Sequence, residues 1–376
     1  MSYARARLWI GISCVGTFVV LATTLLFLEL PSRLLQDRGG SFVDDASLLL
    51  LGLGSFALVA LPFDLIGGYW VPKIFGQATP NAPRFLSSWL RGVSILIAVA
   101  CANGMILLAA GRAGGRPAAM LTFVLLALTM TQFQEPLARL VGGLRRSAKT
   151  VPGAENRDEV IVLEGADPGF SGGFTGLSAA LVIPDRWVHA FDSDSLGLLI
   201  ERRHRILRSG AWRRTLALAI GWNALGFLLC SYLPGAGVGS IAQLATTAVG
   251  FTLWTFVGLL LLPTPSRQAT IAADALAAED AAASRVLQGA VQTLDRMQDD
   301  EPDRSAQLES IFHPIPSVRR RIRALTTPQR SDHGGGAWNL ARTALYLSHT
   351  GLSLLPRAVH CNVGRPELWV YLPTDG

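Results

Sequence analysis

The sequence predicts a mainly α-helical, polytopic membrane protein with about six transmembrane helices and a small α+β part on the cytoplasmic side. The first observation is composition: the 376 residues are 50% hydrophobic, with a mean hydropathy of +0.37 and 16% charged residues. A soluble protein of this size carries about 25% charged residues. The second is a set of long apolar runs, and the third is the clustering of arginines between those runs. Much of the surface is therefore expected to face lipid.

Six apolar runs are long enough to cross a bilayer. A hydrocarbon core of about 30 Å needs about 20 mostly apolar residues in a helix. The runs span residues 8–30, 46–66, 93–110, 117–133, 215–233 and 241–262. The first is too long for a signal-peptide core and lacks a good small-residue cleavage site, so it is expected to be a retained anchor.

Basic residues in the connections predict the orientation, because lysine and arginine favour the cytoplasmic side. Arg5 and Arg7 precede the first run, and residues 134–214 are rich in arginine. Residues 234–240 carry no charge, and residues 31–45 balance basic with acidic side chains. The N-terminus, the long connection after the fourth run and the C-terminal tail are therefore expected to be cytoplasmic, in a bacterial inner membrane.

The net charge of +6 suits a membrane-facing surface better than nucleic-acid binding. The expected partners are membrane lipids and other membrane proteins or peptides, with no nucleic acid. The four cysteines form no disulfide framework and no CxxC motif.

Three polar residues lie within or near the apolar runs. Asp64 lies near the end of the second run, where an ionisable residue is a functional candidate. We expect it instead to be solvated at the interface or paired with a basic loop. Asn103 and Asn223 are expected to form hydrogen bonds between helices.

The connection after the fourth run predicts two strands. Residues 159–164 and 177–185 are apolar and β-branched, and the second ends in a Pro-Asp turn. The glycines between them match neither GxGxxG nor GxxxxGK[ST], so no phosphate-binding loop is predicted. We expect a β-hairpin with a flexible tip.

Further helices are predicted after this hairpin. Asp192 and its neighbours form an N-cap before a helix through residues 196–204. Residues 266–289 and 318–325 are also expected to be helical, with a mobile linker at 298–305. Residues 338–355 are predicted to form an amphipathic helix on the membrane surface, because Arg342 and His349 interrupt the apolar sequence.

Four segments follow one another along the chain in a characteristic order. Residues 181–185 read Leu-Val-Ile-Pro-Asp, and residues 199–204 read Leu-Ile-Glu-Arg-Arg-His. Residues 267–274 end in Asp274, and His313-Pro314 precedes the basic residues 321–325. In this order they resemble four motifs of the membrane zinc metallopeptidases of the HtpX type and the related CAAX prenyl proteases: the turn before the HExxH helix, the HExxH helix itself, the E-x-x-x-D helix and the last motif. The resemblance covers residues 155–326 and implies a membrane metallopeptidase fold.

The departures from this pattern concern the zinc site. HExxH places two histidines on one helical face, with the glutamate as general base. Here Ile200 replaces the first histidine, and Thr270 replaces the third ligand. Of the three expected protein ligands only His204 remains. Glu201 keeps the position of the base, which would matter only in an active enzyme.

The resemblance also assigns residues around the metal. Asp274, His313 and Arg321 match positions that support the ligands, although Arg321 lies two residues further along than expected. A catalytic zinc uses three protein ligands and a water, and without it the water keeps a pKa of about 15.7. No cofactor is therefore expected.

The resemblance implies three regions. These are a four-helix transmembrane region at 1–150, a metallopeptidase-like domain at 151–330 that includes two transmembrane helices, and a tail at 331–376. The leading hypothesis is a catalytically degenerate pseudopeptidase that acts as a binding, structural or assembly subunit for membrane proteins. Arg202, Arg203 and Arg205 fit either a surface for acidic groups, headgroups or a partner, or a solvated helix face.

Two other hypotheses remain open. In the first, an active zinc metalloendopeptidase uses replacement ligands, with His360, Cys361 or His313 converging on His204. The isolated His189, His333 and His349 are expected to be structural or surface residues. In the second, the chain is a transporter or channel component, although few charges lie within the runs and no inverted repeat is visible.

Overall fold

The computed structural model describes residues 1–36, 38–149, 160–298, 300–326 and 336–375. The N-terminal half is helical and consists of α1 Tyr3–Phe27, α2 Leu30–Leu35, α3 Phe42–Leu65, a π-helical turn Ile66–Trp70, α4 Val71–Ile74, α5 Ala82–Gln132 and α6 Gln134–Gly142. The rest contains α7 Trp187–Ala190, α8 Ser193–Arg208, α9 Ala211–Cys230, α10 Ile241–Leu261, α11 Pro263–Ala277, α12 Ala281–Gln298, α13 Ala306–Phe312, α14 Val318–Thr326 and α15 Leu340–Leu347.

The long helices confirm a polytopic membrane architecture. Among the described residues, four helical stretches are long and apolar enough to cross a membrane, at Tyr3–Phe27, Phe42–Ile74, Ala82–Gln132 and Ile241–Leu261. Most of the fifth predicted run lies in α9, whose first turn contains Arg213 and Arg214. Side chains such as Leu51 and Leu58 are about two-thirds exposed on these helices, and this apolar outer surface contacts lipid.

The third and fourth predicted runs both lie in α5. Gly114 (φ −141°) and Gly115 (φ 66°, ψ −156°) are not helical, so the 51-residue stretch is two helices joined by a kink. Gly115 has a positive φ that other residues rarely adopt. Pro117 follows two residues later, at the start of the second helix. The break between the third and fourth predicted runs therefore exists and is confined to these two glycines.

The sheet corrects the predicted hairpin. The strands are β1 Arg145–Arg146, β2 Val160–Glu164, β3 Gly173–Thr175 and β4 Ala180–Pro184, in the order β1-β2-β4-β3. β2 and β4 are parallel, with Val160 opposite Leu181, and β3 pairs antiparallel with β4. The chain therefore crosses over between the two predicted strands, and its glycine-rich stretch supplies β3. Part of the predicted first strand, at residue 159, lies outside the described residues.

The predicted helices of the soluble part are confirmed, with shifted ends. α8 begins after Asp192, whose Oδ1 accepts a hydrogen bond from the Ser195 amide at 2.8 Å, as an N-cap residue does. The helix predicted at 266–289 is two helices, α11 and α12. α14 matches the predicted basic helix within one residue.

The largest correction concerns residues 336–375, which we call the internal segment. Residues 338–355 within it are predicted to form a helix on the membrane surface, yet every residue of α15 is buried, as are nearly all residues from 337 to 375. α15 packs against α9, and the Nδ2 of Asn223 donates to the carbonyl of Ala344 at 2.9 Å. The internal segment therefore runs through the interior of the helical bundle.

The predicted solvation of Asp64 at the interface is wrong, because the side chain is buried and paired with an arginine of the internal segment. Its side chain is 1% exposed and accepts hydrogen bonds from Arg357 (2.7 Å), the Trp89 indole (2.9 Å) and the Gly364 amide (2.7 Å). Arg357 and Gly364 belong to the internal segment. Asp64 therefore joins that segment to α3 and α5.

Candidate functional site

α8 carries the residues that match HExxH, and it packs against α11 and α12. Ile200 and His204 are four residues apart, so they share one face of the helix. Ile200 is 6% exposed and belongs to an apolar cluster that includes Ala269 and Ala273 of α11. Thr270, at the position of the third ligand, is buried and donates its hydroxyl to the Ser266 carbonyl of its own helix at 3.1 Å. Neither side chain is a usual zinc ligand, whereas the imidazole of His204, one helical turn after Ile200, is partly buried.

Glu201 is engaged on the outer face of α8. Its Oε1 accepts hydrogen bonds from Arg205 at 3.1 Å and from Arg208. Burial alone would raise the pKa of Glu201, but the two arginines outweigh it and the pKa lies below its usual value. A carboxylate with a lowered pKa is a poor general base.

The buried centre of the site is formed by two arginines and two aspartates, which we call the ion cluster. The Nε of Arg202 donates to Asp274 at 2.8 Å, and its Nη2 donates to Asp375. Arg321 binds Asp274 through Nε at 2.7 Å and through Nη2 at 2.8 Å. All four side chains are at most 3% exposed. The ion cluster therefore joins α8, α11, α14 and the internal segment.

The charges of the ion cluster cancel. The pKa of Asp274 would rise through burial, but the neighbouring Arg321 and Arg202 hold it below its usual value. Asp375 accepts a further hydrogen bond from the Trp338 indole at 2.9 Å. Both carboxylates therefore bind donor groups of the protein itself.

The residues present do not fit a catalytic zinc. Such a site needs three protein ligands, and the described residues contain no group of three His, Cys, Asp or Glu side chains that could hold a metal ion. A divalent cation would add a charge of +2 to a buried cluster that is already neutral. No metal-bound water follows from this geometry.

Arg203 fastens α8 to the sheet. Its Nη1 donates to the Val182 carbonyl at 2.8 Å and its Nη2 to the Ser171 carbonyl at 2.7 Å, while its guanidinium lies 4.9 Å from the Trp187 ring centre. Burial, and then repulsion from Arg202, lower the pKa of Arg203 to about 9. The side chains of Arg202 and Arg203 therefore face neither solvent nor lipid headgroups. Both interpretations given from the sequence are wrong for these two residues.

The end of the internal segment lies between the sheet and α12. The Thr374 amide donates to Ser171 Oγ at 2.7 Å, and the Gln298 side chain donates to the Thr374 carbonyl at 2.8 Å. Ser171 lies directly before Gly172 and β3. The space beside α8, between sheet and helix, is thus occupied by the protein's own chain.

Comparison with known proteins rests on structure alone. No protein-family model matches the chain, and no curated protein matches it by sequence. The crystal structure of Ste24p from S. mikatae matches with a TM-score of 0.62, covering 82% of this chain and 80% of that one, at 15% identity. The fold is similar to that of Ste24p. This likeness confirms the predicted polytopic helical fold with its small sheet.

The Ste24p-like fold does not gather the replacement ligands that the sequence suggested. The rings of His313 and His360 lie 4.9 Å apart, and Cys361 Sγ accepts a hydrogen bond from Arg342 at 2.6 Å. Among the described residues, these three form no metal-binding group with His204. His189 contacts Lys149, and His349 is buried beside Tyr346. His333 lies outside the described residues.

Of the supporting residues assigned by resemblance, Asp274 and Arg321 do meet in the Ste24p-like fold. His313 is buried, and its carbonyl accepts a hydrogen bond from Arg267 at 2.8 Å. Sequence analysis missed Asp375 and Trp338 because they belong to a segment outside the motifs. It also missed the burial of Arg202. The available signal was the position of this arginine at the centre of the HExxH-like motif.

Proposed function

We propose that this protein is a catalytically degenerate relative of the membrane metallopeptidases, which acts as a structural, binding or assembly subunit for other membrane proteins. The fold is shared with Ste24p, a CAAX prenyl protease. The observation that carries the proposal is the ion cluster, in which an arginine from the HExxH-like helix takes the carboxylate that matches the family's supporting aspartate. This arrangement supports a site in which the aspartate is already bound by arginines and no zinc-catalysed hydrolysis takes place.

The internal segment supports the same proposal. It lies beside α8, and its Thr374 and Asp375 bind the sheet loop, α12 and Arg202. A peptide substrate would compete with these contacts for the same polar groups. Partners are therefore expected to bind the outer, lipid-facing or cytoplasmic surfaces, with the orientation and bacterial inner-membrane location that the charge pattern predicts.

Metal content tests the proposal directly. Detergent-purified wild type and His204→Ala are incubated with zinc, washed and measured by inductively coupled plasma mass spectrometry. We expect no stoichiometric zinc in either sample, because one imidazole cannot hold the ion. Near-stoichiometric zinc that disappears in His204→Ala would contradict the proposal.

Activity and partner assays complete this test. We expect no proteolysis of a membrane-protein substrate, and no difference between wild type and Glu201→Gln. Wild type and the Asp274→Asn variant are purified from native membranes by an affinity tag at the N-terminus. Wild type should recover other membrane proteins, and Asp274→Asn should recover smaller amounts of them because less of it is folded. Zinc-dependent cleavage that is lost in Glu201→Gln would overturn the degenerate assignment.

A further inference from the structure

An apolar cavity lies among the membrane-spanning helices, and none of its lining residues belongs to α8. Its volume is about 520 Å³, and its walls come from α1, α2, α3, α10 and the internal segment. Ligand pockets usually range from about 300 to 1,000 Å³. An apolar cavity of about 150 Å³ already holds benzene, so this space can hold a much longer hydrocarbon.

The wall of this cavity accepts only apolar groups. Its lining residues carry no charge, and its hydroxyls belong to Ser55 and Thr252. Both hydroxyls already donate to carbonyls of their own helices, Leu51 at 2.8 Å and Ala248 at 2.9 Å. A polar ligand would lose its hydration without finding donors here, at a cost of several kcal/mol. The chemistry of the wall therefore selects hydrocarbon.

The cavity connects the lipid-facing surface with the protein interior. Leu34 and Leu51 at its outer side are 63% and 67% exposed, and Leu51 lies on the membrane-spanning α3. At its inner side, Leu352 and Leu354 of the internal segment are 7% and 1% exposed. The cavity is thus continuous with the lipid-contacting surface, and a hydrocarbon chain can enter it from the bilayer.

We propose that this cavity binds one acyl chain of a membrane phospholipid, with the end of the chain against Leu352 and Leu354. The lipid fills the space between α1, α3 and α10 and supports the internal segment from the membrane side. This inference does not depend on whether the protein hydrolyses peptides.

Photo-crosslinking tests the proposal on the full chain. The protein is reconstituted in phosphatidylcholine nanodiscs doped with phosphatidylcholine that carries a diazirine at the end of one acyl chain. After irradiation and trypsin digestion, adducts are mapped by mass spectrometry. The peptide 343–357 contains both inner leucines and is buried, so lipids around the protein cannot reach it. We expect lipid adducts on Leu352 or Leu354.

Two leucines of α3 provide a matched pair of variants. Leu51→Trp narrows the opening of the cavity, whereas Leu58→Trp changes a residue that is equally exposed (68%) but does not line the cavity. We expect Leu51→Trp to reduce adducts on peptide 343–357 several-fold and Leu58→Trp to leave them unchanged. Adducts on outer helix surfaces should stay constant in both.

A second pair fills the interior instead of the opening. Ala245 of α10 lines the cavity, and Ala98 of α5 is exposed elsewhere on the membrane surface. Ala245→Phe should abolish the adducts on peptide 343–357 at an unchanged melting temperature, whereas Ala98→Phe should not. Wild type without adducts on this peptide, or adducts that survive both cavity variants, would overturn the proposal.

Discussion

Each charge of the ion cluster depends on the others, because removal of one leaves an uncompensated ion in the protein interior. Arg202 and Arg321 lie on different helices, yet both bind Asp274. Breaking a buried pair typically costs about 3–5 kcal/mol, far more than the net gain from forming it. The main effect of the cluster is therefore to specify how α8, α11 and α14 pack together, and its net contribution to the free energy of unfolding is small.

Asp274→Asn is expected to lower the free energy of unfolding by about 3–5 kcal/mol, because two guanidiniums stay buried without their shared carboxylate. The measurement is denaturant-induced unfolding in detergent micelles. Glu279→Gln is the control: its carboxylate is 71% exposed and pairs with Arg205, so a loss below about 1 kcal/mol is expected. An equal decrease in the free energy of unfolding in the two variants would show that the buried ion cluster matters no more than an exposed ion pair.

Because of Glu367, we expect the stability of the folded protein to depend on pH. Burial, and then the nearby Asp167, raise its pKa to about 7. The folded protein thus binds this proton more tightly than the unfolded chain, so the stability that protonation provides is present at low pH and is lost as pH rises from the ordinary carboxyl range to about 7. We expect Glu367→Gln to flatten the decline in melting temperature between pH 5 and 8.

Glu164→Gln serves as the control for Glu367, because it removes an exposed carboxylate on β2 of the same sheet region. The decline should persist in this variant. An identical pH profile for wild type and Glu367→Gln would refute the assignment.

At the scale of elements, the internal segment contacts the π-helical turn after α3. Gly68 lies against Gly364, and a Cβ at Gly68 would meet the Gly364 carbonyl oxygen at 2.0 Å. Gly364 itself has a φ of +70°, which favours glycine. Arg7 of α1 completes this contact by donating to the carbonyls of Gly67 and His360, each at 2.9 Å.

Gly68→Ala is therefore expected to destabilise the protein clearly, because backbone atoms must separate to admit one methyl group. Gly16→Ala on α1, where no atom lies within 4 Å of the new Cβ, should be neutral or slightly stabilising, since alanine favours a helix. Thermal unfolding of both variants in the same detergent provides the comparison. A Gly68→Ala variant as stable as wild type would show that the two backbones are further apart than described.

Local signals in the sequence predicted most of the helices, whereas they misjudged the strand pairing. The Asp192 cap and the basic residues of α14 act within a few residues, so their helices follow from the sequence. Strand order depends on contacts between distant segments, and the pattern of β2 and β4 is the same for parallel and antiparallel neighbours. The glycines that form β3 carry no alternating pattern at all.

At the scale of the whole molecule, the internal segment links almost every part of the chain. Its residues bind Arg7, Asp64, Asn223 and Ser171. The sequence could not distinguish this position from the membrane surface, because an apolar segment meets similar surroundings in lipid and in a protein interior. Similarly, the sequence shows Ile200 and Thr270 at the expected ligand positions, but the contact between Arg202 and Asp375 required the fold.

Cysteine labelling can measure how firmly the internal segment is held. Cys361 is 4% exposed, so in a variant that retains only this cysteine, maleimide should react slowly in the folded protein. Asp64→Asn removes the carboxylate that binds Arg357 and should accelerate labelling.

Ser87→Cys in the same background, at an exposed position of α5, is the control and should react rapidly throughout. Labelling of Cys361 that is fast in wild type and unaffected by Asp64→Asn would contradict the buried position of the segment.

The pairing of Arg7 with His360 and of Asp64 with Arg357, separated by 353 and 293 residues, has a consequence for biosynthesis. The ribosome makes residues 336–375 after the helices that carry Arg7 and Asp64, so these two contacts cannot form until that stretch has been made. Because contacts between distant parts of a chain form slowly, we expect the interior of the bundle to close late in folding.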